Sequence, residues 1–466
     1  MNEYRRFLLS AGILILLIAL VVLPPAMAGF VDLSHAEALA TSDPGQAALE
    51  YESAARLLPW RTDLWEKAGL AALADENPAL ALQFLERSPG LTPTGRLALG
   101  DAHYRSGNVQ PALDIWEQLR EDGLGSTQVY NRLGHVYYQL GRYVDAIETF
   151  RIATKLDALD SDSHYMLGLM LATQSPQDAL SVLIRAAQLD PKLDSTIQGL
   201  RRGLNLALLS SGKAAQLTGA GRALVAARAW TLAKEAFINA AERDPHYAPA
   251  WAWLGYVNQV LDEGGLLELN RALELDPNSA EIRGLRAVFF MRANRFEEAQ
   301  VEFEEAARLE PQSPGWQAAL GDVVARTGNV PQGLAHFQHA IELSPRSADY
   351  WRALANFTVD YNYEVQETGL PAALQARALA PDDPQSSVTL GRVYFAINDL
   401  TTAEKLWLDV LETNPDIPAV HLYLGVLYLQ KDQSESAYLH LQQAMALDQG
   451  GPYGAQAGRM LAQYFP

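Results

Sequence analysis

The chain has 466 residues, with 36 lysines and arginines against 55 aspartates and glutamates, for a formal net charge of −19. Its hydrophobic content of 49% excludes wholesale disorder, and the acidic balance argues against a phosphate-backbone partner, so no nucleic acid is expected. With no cysteine, a disulfide framework, a thiolate-ligated metal, a nucleophilic thiol and a lipid-modified N-terminal cysteine are all excluded.

Arg5 and Arg6 precede an apolar run from Phe7 to Leu23. These 17 residues reach the lower end of what spans a bilayer as a helix. Pro24 and Pro25 are expected to stop that helix, and Ala26-Met27-Ala28 has the A-x-A pattern of a signal-peptidase site. Two readings of residues 1–29 therefore stand. One is an uncleaved membrane anchor through residues 7–23, with the remainder outside the cytoplasm in a single-pass arrangement at the cell membrane. The other is a signal peptide, leaving a secreted or periplasmic chain. In both, the basic flank keeps the start of the chain in the cytoplasm.

Beyond this segment the sequence repeats. The stretch from Thr127 to Ala158 carries Leu133-Gly134, Tyr137, Gly141, Ala146, Phe150 and Ala153. Gly134 allows a close helix approach, Gly141 a left-handed turn, and Ala146 and Ala153 are small contacts around Phe150. Leu99-Gly100, Gly107, Ala112 and Trp116 repeat the pattern 34 residues earlier, and Leu167-Gly168 repeats it 34 later. Before these lie a blurred copy around Ala47, Tyr51 and Ala54, and one with Trp65, Asn77-Pro78, Ala81 and Leu85.

The period fails between Lys192 and Gly212. Ile197, Leu200, Leu204 and Leu208 form one amphipathic stripe, which is either an inserted helix or a decayed repeat. An odd helix there is expected to change the superhelical direction. The pattern resumes with Gly221, Ala233 and Phe237, then Leu254-Gly255, Ala299-Phe303, Leu320-Gly321, Leu354-Ala355, Leu390-Gly391 and Leu424-Gly425. Asp360 to Glu364 is expected to be a protruding loop. The organisation read from this is residues 1–29 as anchor or signal, 30–191 as an N-terminal block of about five repeats, 192–213 as the inserted helix, 214–451 as a block of about seven repeats, and 452–466 as a capping helix.

This pattern resembles the tetratricopeptide repeat (TPR) of bacterial type, whose period is about 34 residues. The resemblance implies an all-α, TPR-like α-solenoid, a right-handed superhelix of helix-turn-helix repeats, with one apolar helix at the N-terminus. It also implies that the first helix of each repeat lines a concave wall.

No catalytic constellation is found, and no cofactor or metal is expected. His336 and His339 share a helix face, but no third ligand is placed nearby. Glu297, Glu298, Glu302, Glu304 and Glu305 read as a solvated helix face. The Asn356-Phe-Thr358 sequon falls within an expected helix.

Two candidate grooves follow from applying the family's inner-wall positions to this chain. The first comprises Asp101, Tyr104, Arg105, Asn131, His135, Tyr138 and Gln139, whose aromatic faces and amide groups suit an extended peptide. The second comprises Asp322, Arg326, Arg352, Asn356 and Arg392, whose guanidinium groups could pair with partner carboxylates. Of the places a carboxylate clamp would use in the third to fifth repeats, only Asn131 and Arg132 carry suitable side chains, so no such clamp is expected.

The expected function is a non-enzymatic, extracytoplasmic protein-interaction scaffold that binds partner proteins or peptide segments and helps assemble an envelope or membrane complex. Two alternatives remain: an accessory or regulatory subunit of a glycan-synthesising enzyme, and a structural subunit of a large membrane-associated assembly.

Overall fold

The computed structural model describes residues 23–465. The apolar run 7–23 therefore lies, apart from Leu23, outside the described residues. Residues 23–39 are helical, Pro24 and Pro25 included; the helix that the prolines are expected to stop lies outside the described residues. Proline lacks an N–H but holds a helical φ, which suits the first turn of a helix. Among the described residues there is no strand, and no helix is long and apolar enough to cross a membrane. The chain forms two compact units, Met1–Asn239 and Ala240–Pro466.

In the first unit, successive helices pair through one contact that recurs. A small residue on the first helix of a pair faces a large side chain on the second. A Cβ added to Gly69 would stand 2.4 Å from Leu85 Cγ, and one on Gly100 would stand 2.2 Å from Trp116 Nε1. Gly134 and Gly221 meet Phe150 and Phe237 in the same way. The pairs are Asp63–Ala74 with Pro78–Leu85, Pro93–Arg105 with Val109–Glu121, and Thr127–Gln139 with Tyr143–Leu156. Ser161–Leu171 with Pro176–Leu189 follows. A single helix, Leu193–Leu208, then precedes Lys213–Ala226 and Trp230–Arg243. Its Ile197, Leu200 and Leu204 are buried.

The second unit repeats the contact: Gly255 against Leu269, Gly321 against Phe337, Gly391 against Trp407 and Gly425 against Leu441. Ala287 and Ala355 stand at the same place in their helices, both fully buried. The unit ends in the helix Pro452–Tyr464, which buries Gly454 and Ala457.

The turn inside each pair has its own constant. Seven residues after the small residue, φ is positive: Gly107, Gly141 and Gly328 fit this naturally. Glu76, Arg228, Asp262, Asn294, Asn398 and Asp432 occupy the same place with φ between 56 and 66°. Ser175, after Gly168, departs from the rule with φ −139°.

From Ala355 to Gly391 the repeat is longer than 34 residues. The extra length is taken up by a π-helical turn, Val365–Gly369. There Gly369 N–H donates to the Glu364 carbonyl at 3.0 Å. In the preceding loop Asp360, Asn362 and Glu364 are exposed, while the two tyrosines turn inward. The Tyr361 and Phe357 rings lie 4.9 Å apart, and Tyr361 and Tyr363 pack against the local core, because these rings gain more from burial than from solvent.

Candidate functional site: an inner groove in the first unit

Helices Pro93–Arg105 and Thr127–Gln139 each present a face that their own partner helix does not cover. Between them lies a groove of about 440 Å³, lined by Asp101, Tyr104, Arg105, His135, Tyr138 and Gln139 together with Trp116, Arg132 and Val136. Six of the seven residues expected in the first groove are thus brought together.

Asn131 is not among them. Its amide nitrogen donates to Asp160 Oδ2 at 2.7 Å, and its amide oxygen accepts from Ser163 Oγ at 2.5 Å. Burial pushes the Asp160 carboxyl up, but the hydrogen bonds from Ser163 and Asn131 outweigh it and hold it below the usual range. Asp160 is the N-cap of helix Ser161–Leu171, so Asn131 ties one repeat to the start of the next.

The same device recurs. Glu66 accepts from the backbone N–H of Thr92, the N-cap of Pro93–Arg105, at 2.9 Å. Arg352 donates to Asp383, the N-cap of Pro384–Ala396, at 2.5 Å. Glu66, Asn131 and Arg352 all stand three residues before the repeat's small residue. That register had no signal in one repeat taken alone.

Within the groove the charges are internally balanced. Arg132, which the sequence placed only at a clamp position, donates to both Asp101 oxygens at 2.8 and 3.2 Å. The Asp101 hydrogen bond holds its guanidinium above the ordinary arginine value against the cost of burial. His135 Nε2 lies 3.1 Å from Asp162 Oδ2, and its ring meets Phe150 edge-on at 5.2 Å. Tyr104 leans on Trp116 with ring centroids 5.9 Å apart. Trp116 itself is fully buried and supports the wall from below. The Tyr138 hydroxyl lies 3.2 Å from Thr231 Oγ1, a contact spanning 93 residues. Arg105 donates to the Leu73 carbonyl at 3.3 Å. What the groove offers a ligand is aromatic surface, the Gln139 amide and hydroxyls, with no unpaired cluster of charge.

The second candidate set is more scattered. Arg326 pairs within its own helix with Asp322 at 3.1 Å. Arg352 is held between Asp349 and Asp383 at 2.6 and 2.5 Å. Arg392 reaches Asn356 Oδ1 and Asp360 Oδ1, both at 2.6 Å. Each guanidinium expected to receive a partner carboxylate already holds an acceptor of this chain.

One smaller expectation changes. Glu302 is not on a solvated face: it is 8% exposed, with Arg283 at 3.2 Å and Arg286 at 2.7 Å. His336 is half-buried, its Nδ1 3.0 Å from Gln317 Oε1, and burial followed by the charge of His339 pushes its pKa down. No group of three or more metal-ligating side chains occurs among the described residues.

Tetratricopeptide-repeat models match residues 97–158, 131–194 and 388–452, and a second model of that repeat matches 266–322 and 290–357. Together with the paired-helix architecture, these matches place the chain in the tetratricopeptide-repeat family. A 128-residue stretch is 28% identical to the CTR9 homolog of Arabidopsis thaliana, covering 28% of this chain and 11% of that protein. The chain thus spans only a small part of that relative's length. Among solved structures, yeast Tom70 is similar with 14% identity and a TM-score of 0.45, covering 93% of this chain and 95% of that one. The Cut9-Hcn1 hetero-tetramer of the APC/C gives 16% identity and a TM-score of 0.39, covering 91% and 94%. Pseudomonas aeruginosa pilF gives 20% and 0.37, covering 45% and 96%.

Proposed function

We propose that the groove between Pro93–Arg105 and Thr127–Gln139 holds an extended, largely uncharged segment of a partner protein. The observation that carries this reading is the convergence of Tyr104, His135, Tyr138 and Gln139 on one recess of about 440 Å³, a size suited to one or two side chains with their backbone. Aromatic faces take up apolar side chains at low entropic cost, and the Gln139 amide can both donate to and accept from a peptide backbone. The Asp101–Arg132 pair is self-satisfied, which disfavours a strongly charged ligand. The protein acts by binding rather than turnover. It is an extracytoplasmic scaffold for an envelope or membrane complex, tethered or exported through residues 1–29.

The test is calorimetric titration with peptides selected on the full chain by display. The double variant Tyr104→Ala/Tyr138→Ala is expected to lose about tenfold or more in affinity with its helical circular dichroism retained. Equal affinity for the variant removes this groove from consideration. N-terminal sequencing of the mature chain from cell fractions tests the export reading. A protein recovered only from the cytoplasm overturns it.

A further inference from the structure

The chain's acidity is not evenly spread. From Lys192 to Lys234 there are seven lysines and arginines and a single carboxylate, Asp194, in a chain whose net charge is −19. This stretch includes the unpaired helix Leu193–Leu208 and the helix Lys213–Ala226 that packs on it. Arg201 is matched by Asp194 at 3.0 Å, and Arg222 and Lys234 are engaged within the protein. Among the described residues no carboxylate pairs with Lys192, Arg202, Lys213 or Arg228.

The two helices cross closely on small side chains. A Cβ on Gly203 would stand 2.4 Å from the Ala223 Cβ, and one on Gly219 would stand 2.6 Å from the Ala207 Cβ. With only small side chains at the crossing, a trough of about 290 Å³ remains, lined by Gly199, Gly203, Ala207, Gly219 and Ala223 and edged by Leu206. Leu206 is 69% exposed and Leu209 is 82% exposed. Arg202 stands one helical turn from both Gly199 and Leu206. Lys213 begins the second helix, and Arg228 follows its end.

We propose that this trough docks an acidic, leucine-bearing segment of a partner protein. The apolar side chains of that segment enter the trough beside Leu206 and Leu209. Its carboxylates meet Arg202 beside the trough, and Lys213 and Arg228, at the two ends of the second helix, add to the local positive field. Charge complementarity argues for an acidic occupant, because the remaining surface of this chain repels one. A membrane is the poorer fit. The other large apolar residues of Leu193–Leu208, Ile197, Leu200 and Leu204, are buried within the fold. Two leucines beside a concave surface make a weak interfacial anchor. This trough is separate from the groove at Tyr104 and Tyr138, and either site can exist without the other.

The experiment titrates the full chain with a fluorescein-labelled peptide of alternating glutamate and leucine pairs. Its counterpart carries glutamine in place of glutamate. The glutamate–leucine peptide is expected to bind more tightly than its counterpart and to weaken as salt is raised. Arg202→Glu/Lys213→Glu/Arg228→Glu should lower its affinity about tenfold or more. Leu206→Ser/Leu209→Ser, which alters only exposed side chains, should also lower it, while circular dichroism stays unchanged. Tyr104→Ala/Tyr138→Ala should leave this binding intact. Equal affinity for the glutamine peptide, or no effect of charge reversal, overturns the proposal. So does tighter capture of the chain by phosphatidylglycerol vesicles or polyuridylate, or self-association of the chain through the same residues.

Discussion

The indole Nε1 of Trp407 donates to the carbonyl of Val388 at 3.1 Å, and the pyrrole part of the ring packs against Gly391 in between. Trp116 makes the corresponding bond to Leu97 at 3.4 Å over Gly100. In each case the glycine lets a fully buried indole reach a carbonyl one turn earlier on the facing helix. Trp407 is 1% exposed, and a Cβ on Gly391 would fall 2.3 Å from its Nε1. Gly391→Val is therefore expected to destabilise its repeat by about 3 kcal/mol, read as faster amide exchange in Pro384–Ala396 and Leu400–Thr413 together with altered tryptophan fluorescence. Because stability in such arrays is local, distant repeats should keep their protection.

The Arg283–Glu302–Arg286 cluster places one carboxylate between two guanidinium groups that are 20% and 14% exposed. Both arginine Nε atoms lack a partner, so the cluster depends on Glu302. Glu302→Ala leaves two part-buried cations facing each other, and about 3 kcal/mol of local destabilisation is expected. Glu302→Gln, which keeps the acceptor oxygen, should cost less. Urea denaturation followed by exchange in Ala280–Arg292 checks the order.

His421 and His440 face each other with their Nδ1 atoms 3.0 Å apart, and His421 Nε2 lies 2.8 Å from the Pro415 carbonyl. Donation to Pro415 leaves His421 Nδ1 as the acceptor for His440. Burial, followed by the charge of His421, pushes the His440 pKa down from 6.5 to about 4. The unfolded chain therefore takes up a proton near pH 6.5, whereas the folded chain does not until about pH 4. Stability of the final helices should thus fall as pH drops through that window, by about 1–2 kcal/mol after allowing for the half-exposed ring. His440→Gln, which retains a donor, should flatten this slope in thermal melts taken across the window.

Glu76 holds φ 57° at the turn position that Gly107, Gly141 and Gly328 fill in three other repeats. A left-handed conformation costs a side-chain-bearing residue about 1–2 kcal/mol. Glu76→Gly is expected to stabilise the Asp63–Ala74/Pro78–Leu85 pair by up to about 1 kcal/mol, since glycine's greater unfolded-state entropy offsets part of the relief. An unchanged or lower midpoint would show that Glu76 makes compensating contacts.

Much of the fold could be read from one repeat because its contacts are intra-repeat. Gly134 and Phe150 lie on consecutive helices, so their fixed spacing already encodes their meeting. The convergence of Tyr104, His135 and Tyr138 on one recess was legible for the same reason, since a helical position fixes which face a residue occupies. Asn131 falls outside the recess because its partner, Asp160, caps a helix of the next repeat, and no local pattern reports such a bond. Arg352 and Arg392 likewise hold acceptors from a neighbouring repeat, Asp383 and Asp360, which the sequence pattern does not report. Glu302 escaped because its arginines come from the preceding helix, while its own helix is acidic enough to read as a wet surface.

The π turn at Val365–Gly369 carries a consequence for how this chain tolerates change. Added residues in a stacked array ordinarily threaten every neighbour further along. Here the surplus is wound into one slack coil, and the next helix still begins where its neighbours need it. Small insertions can accumulate at such points without forcing compensating substitutions elsewhere, so a single repeat is free to vary in length while those on either side keep their fit.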